Sequence, residues 1–152
     1  MKTIFKKLQF KNQDKIYVRA APPSFKPVLQ EMAEFTTVKT SPNCKQHYEF
    51  ALFFVKSKED VKRFAPKAAD KVQGDGILWF AYPKKSSKTF KTDMSRDDGW
   101  QPLGKWGFEP VRQVAIDDDW SALRFRRVEY ITSMQRDSKR LLSDEAKTRI
   151  PL

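Results

Sequence analysis

Lys84, Lys85 and Lys88 lie in the stretch PKKSSK around Ser86 and Ser87, directly after the apolar run ILWFAY. Ammonium point charges and hydroxyl donors at one strand end are the groups that neutralise a phosphate or sulfate. Arg124 and Arg126 alternate in LRFRRVE, on one face of a strand. They read either as an anion-binding stripe or as edge-strand charge that discourages aggregation. Asp117, Asp118 and Asp119 offer the oxygens a hard cation takes, but between two strands they read as a solvated turn. Cys44 and His47 are the only cysteine and the only histidine, three residues apart. A thiolate–imidazole pair is conceivable; a loop leading into a strand is the simpler reading. A Cys/His zinc site needs more such ligands, no metal is expected, and no disulfide can form within the chain.

The elements that position these groups follow from periodicity. KIYVRA at 15–20 alternates Ile16, Val18 and Ala20 against Lys15, Tyr17 and Arg19, a strand with one buried face. APPSF is a turn with Ser24 as N-cap of a helix carrying Phe25, Val28, Leu29 and Met32 as one stripe. FTTVKT at 35–40 is a short β-branched strand. In HYEFALFFVK, Tyr48, Phe50, Leu52 and Phe54 face one way and Ala51, Phe53 and Val55 the other. Such a strand belongs in the middle of a sheet covered on both sides. SKED opens a helix at Ser57 with a capping-box pattern. That helix should kink at Pro66 and end at Gly74 and Gly76 before a second two-faced strand at 77–82. A short helix near Trp100–Trp106 precedes strands at 109–117 and 120–130.

This succession predicts a three-layer α/β sandwich. Strands 48–55 and 77–82 should be adjacent, parallel and central. The last two are joined by too few residues for a crossover and must be antiparallel. One domain is expected over 1–132, with a polar tail over 133–152. The chain of 152 residues carries a net charge of +11 and twelve Phe. It reads as folded and basic, with acidic clusters between its cations that argue against a dedicated basic arm. No apolar run is long enough to span a bilayer, and MKTIFKKLQFK does not resemble a signal peptide. A cytoplasmic protein without membrane partners is therefore expected.

LQFKNQDKIYVRAAPPSF, FALFFVKSKEDVKRFAP, GILWFAYPKKSSK and VAIDDDWSALRFRR resemble, in order and spacing from Leu8 to Arg127, a family of small bacterial proteins. The family pattern has an aPxgF turn, a PKxxSK segment and a final A-[VI]-D-x-x-W-S-x-L segment. The resemblance implies a Rossmann-like core similar to that of methyltransferases, and implies no activity. It also implies the strand order 2-1-3-4-6-5 with strand 6 antiparallel. Asp117 and Trp120, at motif positions, are implied to be structural: the Asp bonds backbone in the turn and the Trp packs under the sheet end. Ala122 stands where the family more often has glycine.

Dinucleotide and S-adenosylmethionine sites use a glycine-rich turn after the first strand and an acidic residue about 20 residues on. Here the turn is AAPPSF, and the end of the second strand offers Lys39. No cofactor is expected, and binding of S-adenosylmethionine or NAD should be no tighter than weak millimolar. The favoured expectation is a non-enzymatic binding module for an anionic partner, a phosphate-bearing small molecule or nucleic acid. Two alternatives stand beside it: a divergent methyltransferase-like enzyme with an unconventional cofactor site, and a protein–protein interaction module.

Overall fold

The structure is a computed structural model that describes residues 3–42 and 45–131. Cys44 and the tail expected over 133–152 lie outside the described residues. Along the chain run α1 (Thr3–Lys7), β1 (Lys15–Arg19), a 3-10 turn (Pro23–Phe25), α2 (Lys26–Met32), β2 (Thr37–Lys39) and β3 (Tyr48–Phe54). They are followed by α3 (Lys58–Lys71), β4 (Val72–Pro83), α4 (Gln101–Gly104), β5 (Phe108–Ala115), β6 (Trp120–Arg127) and a 3-10 turn (Val128–Tyr130). The strands form one sheet in the order β2-β1-β3-β4-β6-β5. The first four are parallel, and β6 is antiparallel to both β4 and β5. This is a mostly parallel Rossmann-like α/β fold, with β3 and β4 adjacent at its centre as the two-faced patterns require.

Alternation along the central strands feeds two cores. Ala51, Phe53 and Val55 of β3 and Leu78, Phe80 and Tyr82 of β4 pack against Val61, Phe64, Ala65 and Ala68 of α3. Phe50, Leu52, Phe54, Trp79 and Ala81 pack on the opposite face under Phe5 and Leu8 of the amino-terminal segment and Phe25 and Met32 around α2. The buried Trp79 indole Nε1 donates to the Leu8 carbonyl at 2.8 Å, fixing that segment to the sheet. Most of the core rings meet tilted or edge-on, the arrangement aromatic quadrupoles favour.

Four local expectations are corrected. β1 buries both faces, because Tyr17 is as covered as Ile16 and Val18, and it is Ala20 that is exposed. Tyr48 joins the α3-side core with Ala51 and Phe53 instead of the side of Phe50. A register shift separates the two: Tyr48 pairs with Val72 but Phe50 with Ile77, so β4 carries extra residues there. Ser24 lies inside the 3-10 turn, and α2 starts at Lys26 with Phe25 at its N-cap and no side-chain cap. α3 passes through Pro66 as one helix and hands over to β4 at Val72, before either glycine. Gly76 sits within that strand because a Cβ there would stand 2.7 Å from Val72 Cγ1.

Candidate functional site

In open α/β sheets ligands bind beyond the carboxyl ends of the strands, where the strand order reverses. Here the reversal falls between β1 and β3, since β2 flanks β1 on one side and β3 on the other. The crevice expected at such a reversal lies among the segments that leave these strand ends: the one after Arg19, Val55–Lys58 after β3, and the loop from Lys84 after β4. Antiparallel β6 brings Asp117–Trp120 to the same end, with Trp120 opposite Pro83.

The basic turn is fastened by its serine. Ser87 Oγ donates to Asp119 Oδ1 at 2.8 Å and accepts from the amides of Thr89 and Phe90 at 3.2 and 3.1 Å. The Lys84 amide donates to the Asp119 carbonyl at 2.7 Å. Asp117 Oδ1 accepts from the amides of Asp119 and Trp120, both at 2.8 Å. The buried Trp120 ring packs between Phe54 and Phe90. Ser86, Lys85 and Lys88 are exposed and Lys84 half-buried, and among the described residues these three lysines make no ion pair. Replacing all three lysines by alanine should leave stability within about 0.5 kcal/mol, measured as an unchanged urea midpoint.

The loop after β4 then folds onto the start of α3. Thr92 Oγ1 donates to the Lys56 carbonyl at 2.8 Å, and Asp93 Oδ1 accepts from the Lys58 amide at 2.9 Å. Ser57 Oγ accepts from the Asp60 amide at 3.2 Å, and Asp60 Oδ2 accepts from the Lys56 amide at 2.8 Å. Lys58 Nζ pairs with Asp98 at 3.0 Å. A helix start commonly serves as an anion site, but these donors are already taken by the chain's own oxygens.

Arg19, the last residue of β1, stands at the reversal itself, paired in register with Phe53. Its guanidinium lies over the Phe64 ring, 5.3 Å from the centroid, and its buried Nε has no hydrogen-bond partner among the described residues. Ala20 follows with φ +63°, a left-handed conformation that costs a residue with a Cβ energy. In the sequence, Arg19 falls on the polar side of the alternation in KIYVRA, which hides it among surface cations. The signal available was its position, a charge ending a strand immediately before the first-strand turn.

Arg124 and Arg126 belong to the other half of β6. Arg124 pairs with Trp79 in register, and its Nη1 donates to Gln9 Oε1 at 2.6 Å. Burial, with repulsion from Arg126, lowers its pKa. Arg126 makes a two-point ion pair with Asp75, Nε and Nη2 each 2.7 Å from a carboxylate oxygen. The structure therefore does not bring these arginines to the lysine turn. The Arg126 hydrogen bond holds the Asp75 carboxyl below its ordinary value. A depressed carboxylate stabilises the fold above its unfolded pKa, and that contribution is lost as pH falls through the folded value. Asp75→Asn should thus cost roughly 0.2–1 kcal/mol at neutral pH, as partly exposed pairs do. The difference from wild type should shrink as pH falls below the ordinary carboxylate range and vanish only below the lowered value Asp75 has in the fold.

His47 stands at the opposite end of the sheet. Its Nδ1 lies 2.9 Å from the Asp70 carbonyl and its Nε2 3.5 Å from Gln73 Nε2. It lines a cavity of about 420 Å³ with Gln13, Asp14, Lys15 and Tyr48, at the amino ends of β1 and β3. Among the described residues no group of three or more His, Cys, Asp or Glu is placed to hold a metal ion. No helix of the described residues is long and apolar enough to cross a membrane.

The fold is similar to that of solved methyltransferase structures. A ribosomal protein L11 methylase from Lactobacillus delbrueckii subsp. bulgaricus superposes with TM-score 0.51 and 10% identity over 82% of this chain and 74% of that one. TrmN from Thermus thermophilus gives 0.52 and 6% over 82% of this chain and 47% of its own length. PigF, solved with SAH, gives 0.52 and 9% over 82% and 61%. No protein-family model matches the chain, and no curated protein matches it. The expectation of a non-enzymatic binding module is corrected by these likenesses, which align the chain with methyltransferases. The residues at the crevice do not fit the ordinary adenosyl mode. Pro22 and Pro23 lack amide donors, Ala20 takes the left-handed position a glycine would hold, and Lys39 ends β2 where an acid would meet a ribose.

Proposed function

We propose that this chain is a divergent methyltransferase-like enzyme whose cofactor site, at the crevice between β1 and β3, is unconventional. The observation that supports it is the sheet. Four parallel strands followed by the antiparallel β6 and β5 give a fold similar to the L11 methylase, TrmN and SAH-bound PigF. A ligand entering the crevice meets the amides of Ala20 and Ala21, the Arg19 guanidinium and the loop from Lys84, in place of a glycine-rich turn. The net charge of +11 and the unpaired lysines beside the crevice favour a phosphate-bearing substrate, nucleic acid included.

Photo-crosslinking with methyl-labelled S-adenosylmethionine tests the enzyme reading. Labelling at micromolar donor that excess SAH abolishes and excess ATP does not is the expected result. No competed labelling overturns the reading. For the substrate class, the Lys84→Ala, Lys85→Ala, Lys88→Ala variant should bind a mixed single-stranded RNA more weakly than wild type, with a shallower salt dependence. Equal binding and equal salt slopes would remove the loop from substrate recognition.

A further inference from the structure

We infer that Arg19 is the anchor for an anionic group, a carboxylate or phosphate, of a small molecule bound at the β1–β3 reversal. Three observations meet at this residue. Its place at the carboxyl end of β1, beside β3, is where this class of sheet receives ligands. Its guanidinium is positioned by stacking on Phe64, with Arg63 on the same ring at 4.7 Å, yet its buried Nε has no hydrogen-bond partner among the described residues. A buried donor without an acceptor is costly, and a planar guanidinium is shaped to give two parallel hydrogen bonds to a carboxylate or phosphate. The next residue, Ala20, holds a left-handed backbone at φ +63°, the kind of local strain that gathers at ligand clamps.

The neighbouring charges leave this role to Arg19. Arg63 is paired with Asp60 at 3.0 Å, and Asp60 also accepts from the Lys56 amide. The start of α3 is capped by Ser57 and Asp93. Lys56 lies over Phe90, 4.9 Å from its centroid. Arg19 alone among these cations combines a fixed position with an unbonded buried donor. The inference deepens the enzyme reading by naming a charge at its ligand site, and it can fail separately.

The test is calorimetric titration of wild type, Arg19→Ala and Arg19→Lys with three probes: SAH, adenosine monophosphate and uncharged adenosine. The melting midpoint of each variant verifies folding, and Arg19→Lys keeps the charge and the stem should Arg19→Ala not fold. At least one of the two probes that carry an anionic group, zwitterionic SAH with its carboxylate or adenosine monophosphate, should bind wild type more tightly than adenosine. Its affinity should fall about ten- to a hundredfold in Arg19→Ala, as for a hydrogen bond to a charged group. Arg19→Lys should recover part of that loss, because it keeps the charge without the fork. Loss with adenosine monophosphate and no SAH binding would uphold the anchor while counting against the methyltransferase reading. SAH binding unchanged in folded Arg19 variants would do the reverse, and adenosine binding as tightly as SAH and adenosine monophosphate would overturn the anchor.

Discussion

Phe53→Ala should destabilise the protein by about 3–5 kcal/mol, the cost of truncating a fully buried phenylalanine. Phe53 has no exposed surface and lies at the middle of the α3-side core. Its ring stacks on Phe80 at 5.2 Å between centroids and meets Phe64 at 5.6 Å and Tyr17 at 5.7 Å. Those neighbours come from β4, α3 and β1, which are fixed by their own hydrogen bonds and cannot all close on the void. A loss of this size is a large part of a typical domain's stability. Urea denaturation reads it as a lower midpoint with an unchanged slope. Phe35→Ala is the control, since that ring is 54% exposed and its loss should stay within about 0.5 kcal/mol. A Phe53→Ala loss no larger than that of the control would mean that the central strands are not packed as described.

Ser87→Ala should cost roughly 1–3 kcal/mol, although serine in a basic surface turn looks dispensable. Its hydroxyl closes three hydrogen bonds at once, one to the Asp119 carboxylate and two from the amides of Thr89 and Phe90. Removing it leaves the partly buried Phe90 amide without an acceptor, which costs more than the bond itself is worth. The turn also carries Phe90 against Trp120, so loosening should spread to that packing. Ser86→Ala, one residue away and exposed, should change little. Urea midpoints of the two variants measure the contrast, and equal midpoints would show that Ser87 is not the fastener.

That contrast shows where the sequence is legible. The apolar alternation of Ala51–Val55 and Leu78–Tyr82 announces two-sided burial, because only a central strand can hide both faces. The short DDD link made β5 and β6 antiparallel for want of chain length. Tyr17 and Tyr48 misled for a shared reason: each face assignment depended on the neighbouring strand. A tyrosine looks like a solvent-side residue until Lys71 and a second tyrosine close over it, and a register shift is a property of two strands together. The lysine turn was visible as charge, but which serine fastens it depends on Asp119, 32 residues away. Arg124 and Arg126 shared a strand face with each other, not an end of the sheet with the lysines. Arg19 was hidden because a missing acceptor is visible only after folding.

We propose the crevice between β1 and β3 as the ligand site of a methyltransferase-like enzyme. Amide shift mapping during titration with S-adenosylmethionine tests it most directly, because it reports both binding and place. Saturable shifts at micromolar ligand, concentrated at Arg19, Ala20, Ala21 and Val55–Lys58, are the predicted result, in place of the weak millimolar binding that the AAPPSF turn alone suggests; Pro22 and Pro23 have no amide to report. Absence of saturable shifts, or shifts confined to His47, Tyr48 and Gln73 at the amino ends of the strands, would contradict it.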